Sequence, residues 1–112
     1  MVVGALKIIL YVSNSGGLKS KRKVARSLLD KVRAKFNAAA AEVDANDLWQ
    51  RLEVGFCVCG NEVAQVREQM RNIARYVDNL GLAEVTDVRM EIMNLKDMTW
   101  AGQMEFAASE DL

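Results

Sequence analysis

The residues of this chain best equipped for chemistry are cations. A polar turn, Ser13-Asn14-Ser15-Gly16-Gly17, leads into a segment with Lys19, Lys21, Arg22, Lys23, Arg26, Lys31, Arg33 and Lys35 against a single acid, Asp30. If the segment is helical, four of these cations crowd its first turn and a half. A helix N-terminus already carries unpaired N–H groups and partial positive charge, so cations are disfavoured there. A local rule broken in this way points to a working site. An anion resolves the conflict, because helix N–H groups and basic side chains together make a phosphate site. The plainer alternative is a solvated face whose charges intermix in space with acids from elsewhere in the chain.

Other chemistries find less support. The sequence has no histidine, which removes the commonest general base and zinc ligand. Cys57 and Cys59 stand one residue apart. On a strand they share a face, a poor geometry for a disulfide, so free thiols packed at a central strand are expected. Two cysteines without histidine make a weak zinc set. Glu42, Asp44, Asp47 and Glu53 gather near a hairpin, where charged ends are usually solvated. The glycine turn lacks the P-loop register. A phosphate cradle of acylphosphatase type would need an arginine and an amide, for which Arg22 and Asn61 are the candidates, but the flanking pattern does not match that family. No catalytic residue, cofactor or metal is expected.

The whole chain bounds the reading. Its 112 residues, 51% hydrophobic and 27% charged, suit one globular domain with a core. Zero net charge hides a division: residues 1–37 hold nine basic groups and one acid, whereas residues 38–112 hold six and fourteen. Such asymmetry suggests a basic face for a polyanion. The apolar stretch 1–12 is too short to span a bilayer and lacks a signal-peptide pattern, so a cytoplasmic protein without membrane contact is expected.

Hydrophobic spacing supplies the elements that must position these groups. Residues 2–12 read as a strand with Val2, Gly4, Leu6, Ile8, Leu10 and Val12 on its core face. Residues 18–36 read as a helix whose stripe is Val24, Ala25, Leu28, Leu29, Val32 and Phe36. On its wheel Lys19, Arg22, Lys23, Arg26 and Arg33 gather on one flank and Lys31 and Lys35 on the other, while Lys21 falls over the apolar arc. Residues 38–44 read as a strand despite four alanines, and Asn46-Asp47 as a turn. Residues 52–59 complete a hairpin. A second helix, capped by Asn61 and stopped by Gly81, carries Val63, Val66, Met70, Ile73, Val77 and Leu80. Residues 83–95 form a last strand with Val88, Met90 and Ile92 inward. Residues 96–112, with Met98, Trp100, Met104 and Phe106, make a tail or a short packed element.

The order strand, helix, strand, strand, helix, strand predicts an α+β fold: a ferredoxin-like split β-α-β sandwich (βαββαβ) with an antiparallel four-stranded sheet and two helices on one face. One domain covers residues 1–95. The open sheet face would show Lys7, Ile9, Tyr11, Trp49, Arg51, Glu53, Cys57, Cys59 and Arg89. That face could be solvated, pair in a homodimer, or meet a partner. Tyr11 and Trp49 could stack on unpaired bases beside Arg51, though Trp49 more simply covers a sheet edge.

Leu18-Lys19-Ser20-Lys21-Arg22, then Glu42-Val43, then Asp47-Leu48-Trp49-Gln50-Arg51 and Gly55, in this order and spacing, resemble the YlxP-like family of small bacterial proteins, a domain of unknown function. The likeness extends over residues 1–95. The Cys57-Val58-Cys59 stretch, the alanine tract and the tail depart from it. The resemblance implies a ferredoxin-like fold, a gene placed beside translation-initiation and ribosome-maturation factors, a role at the small ribosomal subunit, and no enzyme activity. Together the residues and the resemblance lead to an expectation: a non-enzymatic, ribosome-associated RNA-binding factor. Lys19, Lys21, Arg22, Lys23, Arg26 and Arg33 would meet phosphates, and Tyr11, Trp49 and Arg51 would form a secondary contact. A protein-interaction module using the open sheet face is the alternative.

Overall fold

Alternation along the first strand sets the layers. The computed structural model describes residues 1–13, 16–44, 48 and 50–97. In β1 (Val2–Tyr11), Val2, Leu6, Ile8 and Leu10 are buried on one side. They meet one core cluster built with α1 (Gly17–Lys35), β3 (Arg51–Gly60) and α2 (Val63–Leu80). β2 (Ala39–Asp44) and β4 (Glu84–Asn94) complete an antiparallel sheet of order β2-β3-β1-β4, and Leu95–Asp97 makes one 3₁₀ turn. The expected ferredoxin-like βαββαβ arrangement is therefore the one observed, with both helices feeding the same core.

The alanine tract pairs as strand because β3 offers it a ladder, Ala39 opposite Cys57 and Ala41 opposite Gly55. Tertiary pairing outweighs the small helical preference of alanine. α2 lies directly on β1 where the strand has no side chain. A Cβ on Gly4 would stand 2.6 Å from Met70 Sδ and 2.7 Å from Val66 Cγ1. Gly81 stops α2 in the left-handed conformation at φ 63°, its N–H bonding to Asp78 O at 3.3 Å.

Three expectations need correction. Asn61 is not the cap of α2. Glu62 holds that position in extended conformation with no side-chain cap bond, so Asn61 lies one residue too far out to reach the first turn. Val88 and Met90 stand opposite Ile8 and Leu6, yet are 44% and 40% exposed. β4 is an edge strand, and its outer margin receives little cover from the helices. Cys57 and Cys59 are free as expected, but exposed on the open face of β3 rather than packed. The turn at Asn46-Asp47, Trp49, and Met98, Trp100, Met104 and Phe106 lie outside the described residues. Among the described residues, no helix is long and apolar enough to cross a membrane.

The Gly4 contact makes a direct prediction. Gly4→Ala overpacks the strand–helix junction and lowers unfolding stability by about 1–3 kcal/mol. Val66→Ala opens space at the same point, so the double variant should lose less than the two single losses added together. Urea unfolding of the four proteins measures this, and strict additivity would contradict the close approach.

Candidate nucleic-acid interface

Among the described residues, the start of α1 shows neither a side-chain cap nor a first-turn acid. Gly16 occupies the cap position with no side-chain bond, Gly17 has φ 68°, and the first turn contains no acid. Burial of Ala25, Leu28, Leu29 and Val32 fixes the helix rotation and turns Lys19, Arg22, Lys23 and Arg26 outward. These four are exposed and have no ion pair among the described residues. Arg33, on the same flank, is more committed: it lies 3.5 Å from Asp30 Oδ1 and donates to the Ala40 carbonyl on β2. On the opposite flank Lys31 donates to Ser27 Oγ at 3.2 Å, and the Lys35 ammonium sits 4.8 Å above the Tyr76 ring of α2. The uncovered ridge therefore follows the side of α1 that borders the β2 edge.

Lys21 corrects the expected phosphate set. It is 1% exposed, with Nζ 3.4 Å from Glu42 Oε1 on β2. Its position over the apolar arc sends the methylene stem into the core, and the ammonium meets a carboxylate at the margin. Lys21 thus joins the first turn of α1 to β2 instead of facing a polyanion. Of the six expected contacts, Lys19, Arg22, Lys23 and Arg26 remain fully available, Arg33 is partly engaged, and Lys21 is enclosed.

Among the described residues, charge divides between the layers. Outside α1, the helical layer adds Arg67, Arg71 and Arg75 against Glu68 and Asp78. The strands carry Glu42, Asp44, Glu53, Glu84, Asp87 and Glu91 against Lys7, Arg51 and Arg89. The ridge is thus not neutralised by intermixing with these acids.

The open sheet face holds a different structure. Glu53 is only 6% exposed although no layer covers it. Lys7 Nζ lies 2.8 Å from its Oε1 and 3.3 Å from Asp44 Oδ2, while Arg51 Nε lies 2.9 Å from Glu53 Oε2. The hydrogen bond from Lys7, then that from Arg51, holds the Glu53 carboxyl below its ordinary range, and Glu53 first and Asp44 second raise the Lys7 ammonium. The place of Glu53 near the hairpin end suggests a solvated acid instead. Alternation already placed Lys7 and Glu53 on one face of neighbouring strands, and that was the available signal. Arg51 is bound to Glu53, and Tyr11 accepts a hydrogen bond from Gln50 Nε2 at 3.2 Å. Trp49, the third residue of the expected secondary contact, lies outside the described residues.

Beside this cluster runs an open trough of about 420 Å³, walled by Ala5, Ala39, Ala41, Val43 and Cys57. Val43 leans over Gly55, where a Cβ would come within 2.8 Å of its Cγ1. Among the described carboxylates near the hairpin, Glu42 pairs on the helix side, whereas Asp44 and Glu53 stand opposite each other on the open side and share the Lys7 ammonium. Arg22 and Asn61 also fail to meet: α1 starts beyond Tyr11, at one end of β1, and Asn61 follows Gly60, which pairs with Val2 at the other. Among the described residues, no group of three or more histidine, cysteine or acidic side chains is placed to hold a metal ion.

The Glu53 cluster gives stability a two-sided pH dependence. A lowered carboxyl contributes stability that is present above the unfolded value of about 4.3 and lost as pH falls through the lower folded value. A raised lysine contributes stability that is present below about 10.4 and lost as pH rises through the higher folded value. The stability difference between wild type and Glu53→Gln should be level between those limits and shrink beyond each. Denaturant midpoints across pH measure it, and a difference that ignores pH would exclude the ion cluster as its source.

Residues 3–90 match the model of a family described as "Protein of unknown function (DUF503)". "Uncharacterized protein YlxP" of Bacillus subtilis (strain 168) is 27% identical over 90 residues, covering 80% of this chain and 98% of the relative. Among solved structures, an antibiotic biosynthesis monooxygenase aligns with 84% of this chain and 97% of its own at 13% identity and a TM-score of 0.45. A protein of Deinococcus radiodurans described as a monooxygenase of the same kind aligns with 95% and 100% at 13% identity and a TM-score of 0.48. Those descriptions belong to those proteins and lend no chemistry to this one. The motifs shared with YlxP-like proteins and the family match over residues 3–90 lead to one conclusion: this chain belongs to the DUF503 family.

Proposed function

We propose that this protein is a non-enzymatic RNA-binding factor of the bacterial cytoplasm that holds RNA phosphates along the exposed edge of α1. The observation that carries the reading is the set Lys19, Arg22, Lys23 and Arg26, exposed and without carboxylate partners among the described residues, on a helix whose first turn has no acid. Successive cations on one helix flank can follow successive phosphates, which gives affinity without base reading. The ribosomal setting, at the small subunit during maturation or translation, rests on the resemblance to YlxP-like proteins.

The charge-reversal variant Lys19→Glu/Arg22→Glu/Lys23→Glu tests it. RNA and small-subunit binding should fall steeply, with the salt slope reduced by about one for each phosphate contact removed. Thermal unfolding should change little, because these side chains are exposed. Arg89→Glu on the sheet face serves as the control. Unchanged RNA binding of the triple variant at matched salt overturns the assignment.

A second reading is favoured by the trough on the sheet face: two copies of the chain associate through it, with Val43 and Met93 adding exposed apolar surface to that side. Sedimentation over a range of concentrations should then show a dimer that Ala41→Glu, in the trough wall, disperses. A wild-type chain that stays monomeric throughout removes this reading.

A further inference from the structure

The helical layer has a second feature that the ridge does not use. Where the end of α1 meets the outer side of α2, Lys35, Phe36, Asn72, Arg75, Tyr76 and Asn79 line a notch of about 330 Å³. That is the lower end of the range for small-ligand sites, roughly 300–1,000 Å³. Its groups differ in kind from those of the ridge. The Tyr76 ring is held edge-to-face against Phe36, with centroids 5.5 Å apart and planes at 72°, so its orientation is fixed by packing. The Lys35 ammonium covers that ring at 4.8 Å, on a flexible stem that can swing aside. Asn72 and Asn79 lie two turns apart on one side of α2, and their amides make no hydrogen bond among the described residues. Arg75 has one exposed pairing, 3.7 Å from Glu68 Oε1, which is weak.

We propose that this notch takes one unpaired nucleobase of a bound RNA together with its phosphate. The inference rests on the RNA-binding reading above and specifies which RNA is preferred. A base laid against Tyr76 replaces the Lys35 ammonium on the ring. Lys35 and Arg75 then meet the phosphate of the same nucleotide. Each asparagine amide offers both a donor and an acceptor, the combination a base edge requires. A bare phosphate track binds by charge alone. A track with a base notch favours strands whose bases can be splayed out.

The test compares a short labelled single-stranded RNA with a duplex of the same sequence, using the full chain at one salt concentration. The wild type should prefer the single strand about fivefold or more, the size of one stacked base. Asn72→Ala/Asn79→Ala and, separately, Lys35→Ala should reduce single-strand affinity severalfold. The asparagine variant should leave duplex affinity unchanged. These positions are exposed, so the fold should persist, which thermal unfolding confirms. The ridge variant should weaken both ligands together. If the asparagine variant keeps the wild-type ratio of single-strand to duplex affinity while the ridge variant weakens both, the notch proposal is overturned and the phosphate track stands. If the wild type binds neither RNA, both fall.

Discussion

A helix lying on a sheet can present only one rotation, and in α1 that rotation decides everything the surface can do. Leu28, Leu29, Val32 and Ala25 are buried against the sheet. Each large apolar side chain contributes roughly 1.5–3 kcal/mol on burial. The pairing of Lys21 with Glu42 cannot compete on that scale, since the desolvation of a buried ammonium offsets much of its attraction. The apolar stripe therefore chooses the rotation, and the Lys21–Glu42 contact makes other rotations worse by leaving a buried charge unpaired. Turning the helix by one residue, about 100°, would carry Arg22 and Arg26 toward the core. The outward ridge is a consequence of the inward stripe.

The same one-sided packing separates charge. Helices cover only one side of the sheet, so most cations of α1 and α2 point away from it, while Lys21 and Arg33 reach to β2. The strands' acids lie largely on the sheet side or at its edges. On the open face the charges largely answer one another, with Lys7, Asp44, Glu53 and Arg51 joined in one cluster. On the helical side Lys19, Arg22, Lys23 and Arg26 have no such answer among the described residues. Screening shortens the reach of these fields to about 8–10 Å at ordinary salt, less than the span of the domain. Under the proposed reading, a polyanion near the helices would be attracted without sensing the sheet, and near the sheet it would meet acids.

What could be read from the residues, and what could not, divides along the same physics. Among the described residues, period two and period 3.6 identified the four strands and both α-helices, and the 3₁₀ turn at Leu95–Asp97 left no periodic mark. Lys21 was visible on the apolar arc of the helix wheel. Its exclusion from the ridge was not, because a wheel does not say whether a lysine stem runs outward or inward until Glu42 is known to lie beneath it. Glu53 was missed for a related reason: enclosure on an uncovered face comes from neighbouring long side chains, not from a layer. Val88 and Met90 alternate correctly, but alternation gives the side of a sheet and not how far the helices reach across it. The notch beside Tyr76 depends on how the end of α1 meets the outer side of α2, and no spacing within either helix contains that information.

Alternation also sorts the described acids near the hairpin. Glu42 faces the helices, and Asp44 and Glu53 face the other side. Glu53, the most enclosed of them, has each carboxylate oxygen engaged by a cation. Such a group is held ionised and has no proton to give, and both of its basic positions are already occupied. Its chemistry is spent on joining β1 to β3 across the open face. On the helical layer, the ridge cations and the amides of Asn72 and Asn79 keep valences that no partner among the described residues uses. The proposed RNA contact draws on both kinds of group, cations for phosphates and amides for a base edge.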